Sequence, residues 1–362
     1  MTNQPVTDQN INDNRLETYR LKTLGKTSKK HSLAPVSHEH FDADDIDIAL
    51  TIEHISYNSD EPFYADSQTA YLGTIAAPKI TTTGTTSLAG DIMANEIRGE
   101  GDLIINGAYT EGDQIIHADG KVSGTNIHAT QNQKIKAKRG LELGTITAQN
   151  DQTLRTYGQK TTISTAIAGG DQQIYCQSGD VDVHIAVAQG HQGIGDFSSN
   201  VCVHKALAGE TQGIGDSTDD VSVHKAVGKG QSIGYKADNV TVSNAFAERK
   251  QKIGSHADKV SLIGLVFSQE DQHIGDDPRW MDAQAGEVNL IGDVLAHGKQ
   301  YIASETDRVT ALGRYNPSDR QWLDPDNYLE GAVKQEYDVR KRGFPPEQYH
   351  TDVFENRVDN HF

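Results

Sequence analysis

The sequence predicts an all-β protein, a single-stranded parallel β-helix (β-solenoid) of about 10–12 coils. A glutamine recurs at intervals of 19–21 residues from Gln114 to Gln272. Pairs of β-branched residues recur in step with it, and a glycine often follows the glutamine motif. A fixed period of this length is typical of coils that stack on one another, because a single coil cannot bury its own inward face.

The glutamine belongs to a motif, Gln-x-(Ile/Leu), in which the two named residues point to the same side of a strand. Its last step is longer, 28 residues. Stacked amides can bond to one another along the axis, which satisfies polar groups that are costly to bury. We therefore predict a structural ladder of ten side chains: Gln114, Gln133, Gln152, Gln172, Gln192, Gln212, Gln231, Gln251, Gln272 and Gln300.

The second pattern is an alternating apolar pair, as in Val181/Val183 and Val201/Val203, which indicates a strand with one buried face. A third apolar position follows each pair, at Val187 and Leu207 for example. We expect three short strands per coil. The glycine after the isoleucine, as at Gly195, predicts a corner that needs positive φ or close approach of the backbone.

The repeat divides the chain into four parts. Residues 1–45 are polar and predict a mostly disordered tail, and residues 46–94 a cap with the first irregular coils. Residues 95–312 form the solenoid, and residues 313–362 a capping helix and extended tail. The helix is expected from Asp324 to about Arg342, because Asp-Pro starts it and charged residues suit its end. Caps are needed because exposed sheet edges template polymerisation.

Composition limits the function. The chain of 362 residues is only 35% hydrophobic, with mean hydropathy −0.59 and formal net charge −18. Such acidity argues against nucleic acid as a partner. No stretch is apolar enough for a transmembrane segment, and the first residues lack the apolar core of a secretory signal. We expect a cytoplasmic protein or one exported by a route without such a signal, the compartment staying unknown.

Three histidines recur in consecutive coils after Val-x-Val, at His184, His204 and His224. Stacking aligns them, with Asp182 and Cys202 on the same outward face, and tetrahedral zinc accepts such ligands. The alternative is a solvated histidine ladder without metal, favoured by the lysines that follow two of the histidines. Equivalent residues of a repeat align whether or not they bind anything.

The long step before Gln300 carries an insertion that contains Arg279, Trp280 and Met281. Insertions in solenoids emerge as loops on the flank, so these three residues are a candidate contact site. The alternative is that Trp280 folds back over an irregular coil.

No motif for phosphate binding, nucleophilic catalysis or a zinc protease is present in the sequence. Parallel β-helices include enzymes that cut polysaccharides, but long loops that would wall a groove are few here. Glycosidic hydrolysis needs two carboxylates at a defined separation, which a chain with 51 acidic residues supplies by chance. We predict no catalytic residues and no cofactor.

The simple coils, such as Gln251-Lys252-Ile253-Gly254 followed by Val260-Ser261-Leu262, resemble filamentous-haemagglutinin-type adhesin repeats. They are also similar to bactofilin scaffolds, which polymerise end to end. The resemblance covers about 220 residues and rests on period and pattern. It implies a structural or adhesive role without a cofactor, although the chain lacks the secretion signal of the adhesins and its rod is longer than the bactofilin core.

The favoured hypothesis is thus a non-enzymatic scaffold or adhesin-like surface that contacts protein partners or associates with itself. The alternative is a carbohydrate-active or carbohydrate-binding β-helix protein, similar to polysaccharide lyases or hydrolases. A third hypothesis is a membrane-associated polymer steered by the basic cluster from Lys22 to Lys30.

Overall fold

The chain folds as a parallel β-solenoid in a computed structural model. The structure describes residues 51–275, 285–298 and 300–302, together with the backbone of two further strands at 19–20 and 308–312. Its strands form two sheets, one of 16 and one of 13 strands. All strand pairs are parallel except the first, so the predicted fold class is confirmed.

Long strands make one sheet, called here the long sheet. They are β1 Tyr19–Arg20, β2 Thr51–Asn58, β4 Thr69–Ala76, β6 Thr86–Met93, β8 Leu103–Thr110, β10 Lys121–Thr125, β11 Ile127–Ala129, β13 Gly140–Ala148, β15 Thr161–Ala168, β17 Val181–Ala188, β19 Asn200–Ala208, β21 Asp220–Gly228, β23 Asn239–Ala247, β25 Lys259–Ser268, β27 Glu287–Ala296 and β29 Arg308–Leu312.

Shorter strands make the other sheet, the short sheet, with one strand per turn. They are β3 Phe63–Ala65, β5 Lys79–Thr82, β7 Glu96–Gly99, β9 Gln114–Ala118, β12 Gln133–Ala137, β14 Gln152–Thr156, β16 Gln172–Cys176, β18 Gln192–Ile194, β20 Thr211–Ile214, β22 Gly230–Ile233, β24 Gln251–Ile253, β26 Gln272–Ile274 and β28 Gln300–Ile302.

Successive turns stack in register, and the stack begins before the first glutamine. Thr51, Thr69, Thr86 and Leu103 are partners in the long sheet, so the first turns repeat every 17 or 18 residues. Residues 51–94 therefore continue the same parallel sheets. The 28-residue step also stays in register, because Gln272 pairs with Gln300.

The core is a narrow apolar column between the two sheets. One contiguous cluster runs from Ile55 to Ile302, and most of its Ile, Val, Leu and Ala side chains are 0–2% exposed. Each turn contributes only a few residues, for example Ile174, Val181, Val183 and Ala186. Stacking removes these side chains from water. Each Å² of apolar surface buried stabilises the fold by about 25 cal/mol, which holds the turns together.

The third apolar run does not form a strand of its own, contrary to expectation. It continues the second run within one long strand, as in Val181–Ala188. His184 and Ile185 both lie outside the main core, which shifts the alternation by one residue. Ala186 therefore packs in the main core, while Val187 belongs to a separate cluster on the other face.

A corner follows each Gln-x-Ile strand in the later turns, and its glycine adopts positive φ, 78° at Gly195 and 67° at Gly215. A Cβ atom on either glycine would lie 2.3 Å from a valine Cγ2, that of Val201 or Val221. Both reasons for a glycine, conformation and close approach, therefore apply here.

The N-terminal edge of the long sheet is partly covered, because β1 pairs antiparallel with β2. The rest of the predicted disordered tail and the predicted capping helix from Asp324 to about Arg342 lie outside the described residues. In the described part of the chain, no helix has the length and hydropathy needed to cross a membrane.

Candidate functional site

The ten glutamines form a column inside the rod. Each is at most 5% exposed, and each Nε2 from Gln133 onward donates to Oε1 of the glutamine one turn earlier. The donor to acceptor distances are 2.6–3.2 Å. All amides are therefore oriented the same way along the rod.

The column ends at Gln114, whose Nε2 is buried without a hydrogen-bond partner. In the register of the short sheet, Asn95 occupies the position one turn earlier. Its side chain is exposed and donates instead to the carbonyl of Asp113, across 3.3 Å. At the other end, the Nε2 of Gln300 also donates to the carbonyl of Val294.

The three predicted histidines lie together on the outward face of the long sheet. The ring centroids of His184 and His204 are 4.6 Å apart with planes inclined by 8°, and those of His204 and His224 are 4.8 Å apart and inclined by 9°. All three side chains are exposed. The partial desolvation of His204 lowers its pKa, and the positive charges that His184, His224 and Lys205 can carry lower it further.

Stacked, nearly parallel imidazoles direct their in-plane lone pairs along parallel lines, whereas tetrahedral zinc needs ligands that converge. Among the described residues, no group of three or more His, Cys, Asp or Glu side chains has a geometry that would hold a metal ion. Zinc binding by this row with Asp182 and Cys202 stays a prediction, and the geometry favours the solvated histidine ladder.

Beside the histidines runs a shallow groove across three turns. It is lined by Asn200, Val201, Cys202, Asp220, Val221, Ser222, Asn239 and Thr241. Two hydrogen bonds bridge successive turns at its border, from Asn200 Nδ2 to Asp180 Oδ1 (2.8 Å) and from Asn239 Nδ2 to Asp220 Oδ1 (2.7 Å). The groove presents hydrogen-bonding groups at the strand spacing and encloses no deep cavity.

The exposed thiol of Cys202 borders this groove, with Asp182 as its register partner. Partial desolvation of the thiol raises the pKa of Cys202, the Asp182 carboxylate raises it further, and Lys160 opposes both. Lys160 Nζ lies 3.3 Å from Asp182 Oδ2. The thiol is therefore a poor nucleophile at neutral pH, since the thiolate is the reactive form.

A second outward surface, on the short sheet, carries a cationic patch made of Lys134, Lys136 and Arg155. Lys136 and Arg155 are register partners. Lys134 lies two residues before Lys136 on the same strand, so both point to the same side of the sheet. In the described part of the chain, no ion pair joins any of the three to a carboxylate, although most other described Lys and Arg side chains have one. Like charges on adjacent strands are destabilising, so this patch is unusual in a chain of net charge −18.

Two tyrosines hold the arginine of this patch. The guanidinium of Arg155 lies 4.5 Å from the ring centroid of Tyr157 and 5.0 Å from that of Tyr175. Its Nε is buried and has no hydrogen-bond acceptor. Cation–π contacts thus orient the group without neutralising it.

The sequence analysis missed the cationic patch. Aligning the residues three positions after each glutamine would have revealed it, because His117, Lys136 and Arg155 occupy that position in successive turns. The predicted contact residues Arg279, Trp280 and Met281 lie outside the described residues, so that site stays a prediction.

Comparison with known proteins found no relative of this chain. It matches no protein-family model, and no curated protein or solved structure matches it.

Proposed function

We propose that this chain is a non-enzymatic scaffold that presents the outward faces of its rod to protein partners or to further copies of itself. The observation that carries the proposal is the unbroken in-register stack, which repeats surface groups at the strand spacing over many turns. Repeat rods of this kind offer extended binding surfaces. The shallow groove beside the histidines fits such a surface better than it fits an enclosed reaction site.

The pattern shared with filamentous-haemagglutinin-type repeats and bactofilin scaffolds adds support for an adhesive or structural role. Of these two, lateral binding is favoured over end-to-end growth, because β1 already pairs with the N-terminal edge strand β2.

Two measurements on the full-length protein test the proposal. Light scattering with negative-stain microscopy is expected to show single rods or laterally associated rods. Assays on a panel of polysaccharides are expected to show no turnover. Turnover that disappears in Asp220→Asn, a groove carboxylate, would overturn the non-enzymatic assignment.

A second candidate function is binding of a linear acidic polysaccharide, favoured by the cationic patch. Three cations that have no carboxylate partner among the described residues, beside two tyrosine rings, suit a chain of sugars that carries widely spaced carboxylates or sulfates. Duplex DNA carries a charge every ~1.7 Å and would meet stronger repulsion from the acidic remainder of the protein.

Binding of polygalacturonate, dextran sulfate and neutral dextran to the full chain tests this candidate. Lys134→Gln/Lys136→Gln is expected to weaken binding of the two acidic polymers by several fold. The matched control is Lys138→Gln/Arg139→Gln, which removes the same charge from side chains already paired with Asp119 and Asp102. Equal losses in both variants, binding of neutral dextran, or preference for single-stranded DNA would each count against a polysaccharide site here.

A further inference from the structure

Three strands of the short sheet, β12, β14 and β16, carry no carboxylate on their outward face. Buried positions alternate along them with exposed or half-buried ones, so every second side chain points away from the core. The chain has 51 acidic residues among 362, yet none occupies these outward positions. The outward side chains are Lys134, Lys136, Thr153, Arg155, Gln173 and Tyr175. The cationic patch therefore continues into a polar surface that ends at a tyrosine ring.

The outward surface becomes lower after β16, because the next turn carries glycine at the same positions. Gly193 and then Gly213 follow Gln173 in register. Gly195 follows Tyr175 in the same way, since the residues that precede these two are register partners. This change of level, from Tyr175 down to Gly193 and Gly195, is called here the step.

The fold does not require the two glycines that lie within strands. Neither Gly193 nor Gly213 has positive φ. An added Cβ would lie 3.8 Å from Asp196 Oδ2 at Gly193 and 4.0 Å from the carbonyl oxygen of Gln192 at Gly213, which are ordinary contacts. Glycine in a strand costs about 0.5–1 kcal/mol relative to alanine. One reason to keep it there is the close approach of a ligand.

The ring of Tyr175 presents one face to the step. The guanidinium of Arg155, one turn earlier, lies 5.0 Å from the ring centroid. On the other side the next turn offers Gly195, which has no side chain to cover the ring. An aromatic face beside a cation suits a ligand that combines an apolar ring face with an anionic group.

We propose that the step is a subsite for a uronic-acid oligosaccharide. One sugar ring packs on the face of Tyr175 above Gly193, and carboxylates of the sugars that precede it in the chain bind Lys136 and Arg155. From β12 to β18 there are three strand spacings, about 14 Å, a length that a short oligosaccharide covers.

The chemistry of a uronic acid matches both parts of this surface. Its planar carboxylate can accept two parallel N–H bonds from an arginine such as Arg155. As a substituent of the sugar ring, the carboxylate leaves the ring face free to pack on Tyr175. The inference rests on the second candidate function, binding of an acidic polysaccharide, and adds to it the place of one sugar and the class of that sugar.

Binding of trigalacturonate to the full chain, measured by isothermal titration calorimetry, tests the subsite, with polygalacturonate measured in parallel. Gly193→Leu fills the space beside Tyr175 and is expected to weaken trigalacturonate binding by several fold. Gly213→Leu, one turn further along the rod, is the matched control and is expected to bind like the wild type. The melting temperature shows that both variants are folded.

The outcomes separate the subsite from the function on which it rests. Equal binding of trigalacturonate by the wild type and Gly193→Leu, or binding of polygalacturonate alone, would overturn the subsite and leave polysaccharide binding in place. Absence of binding by either sugar would overturn both. Equal affinity for maltotriose, a neutral trisaccharide, would overturn the assignment to uronic acids.

Saturation-transfer NMR gives a second readout that does not depend on the glycines. Irradiation of tyrosine ring protons is expected to saturate the ring protons of trigalacturonate in the wild type and in Tyr157→Leu, and to do so several fold less in Tyr175→Leu. Tyr157 is the matched control because its ring centroid also lies close to the Arg155 guanidinium, at 4.5 Å. Transfer of equal size in the two variants would overturn the packing of a sugar on Tyr175.

Discussion

In the buried amide column, Nε2 of Gln212 lies 2.7 Å from Oε1 of Gln192, and neither side chain is more than 3% exposed. Gln212 also accepts a hydrogen bond, across 3.2 Å, from Nε2 of Gln231. An interior glutamine thus satisfies two neighbours at once. If one turn shifted its strand register relative to its neighbours, several buried amides would lose their hydrogen-bond partners. We therefore infer that the column fixes the register of the turns.

Gln212→Leu is expected to destabilise the rod. It leaves the amide of Gln231 without its acceptor and the carbonyl oxygen of Gln192 without its donor, and each orphaned buried group costs about 1–3 kcal/mol. Urea unfolding measures the loss, and hydrogen exchange shows whether it is local to β20 and its neighbours, since repeat proteins open in parts.

Gln114→Leu is the matched control for the amide column. Its Nε2 already lacks a partner, so the substitution orphans only the Nε2 of Gln133. The loss of stability is expected to be smaller than in Gln212→Leu. Equal losses in the two variants, or none in either, would show that the column does not stabilise the stack.

The glycine corner gives a second prediction. Gly215→Ala is expected to cost at least about 1–3 kcal/mol, because φ is 67° there and the added Cβ would lie 2.3 Å from Val221 Cγ2. Gly213→Ala, two residues earlier, is the control: its added Cβ would meet no atom closer than 4.0 Å. If both variants melt at the same temperature, the corner is not constrained as described.

The sequence predicted the fold where the signal is local and repeated. The spacing of Gln-x-Ile sets which residues pair between turns, and Val181 and Val183 both face the core, as expected, with Asp182 between them on the outward side. It missed the outward position of Val187, because two successive residues, His184 and Ile185, lie outside the main core. Hydrophobicity alone does not reveal such a shift of alternation, and Val187 looks like any other core valine.

The candidate sites were predicted less completely than the fold. Alignment of the histidines follows from the period, but the 8° and 9° inclinations of their rings depend on side-chain packing that no pattern reports. The cationic patch combines residues from separate turns, Lys136 and Arg155. Their proximity follows only from the strand register. That no described carboxylate pairs with the patch is a property of the folded surface.

Acidification is expected to weaken the rod through the histidine row. Partial desolvation, and then the charges that His184, His224 and Lys205 can carry, lower the pKa of His204 below its usual 6.5, so the folded protein binds this proton less readily than the unfolded chain. Stability therefore falls as pH decreases through 6.5 and then through the lowered value, and it is regained above 6.5. His204→Asn should flatten this part of the pH dependence of the melting temperature. An unchanged profile would show that the stacked rings do not resist protonation.

The two cysteines provide the last prediction. Cys202 is exposed and Cys176 is buried, so iodoacetamide is expected to modify Cys202 alone in the folded protein. The reaction should be slower than that of a free thiol at pH 7.5, because partial desolvation and the Asp182 carboxylate raise the pKa of Cys202. Asp182→Asn removes one of these causes and leaves Lys160 unopposed, so it is expected to accelerate the modification. Mass spectrometry of timed samples measures the rate, with Cys176 as an internal check of folding, and a rate that falls or stays constant in Asp182→Asn would contradict the electrostatic account of this surface.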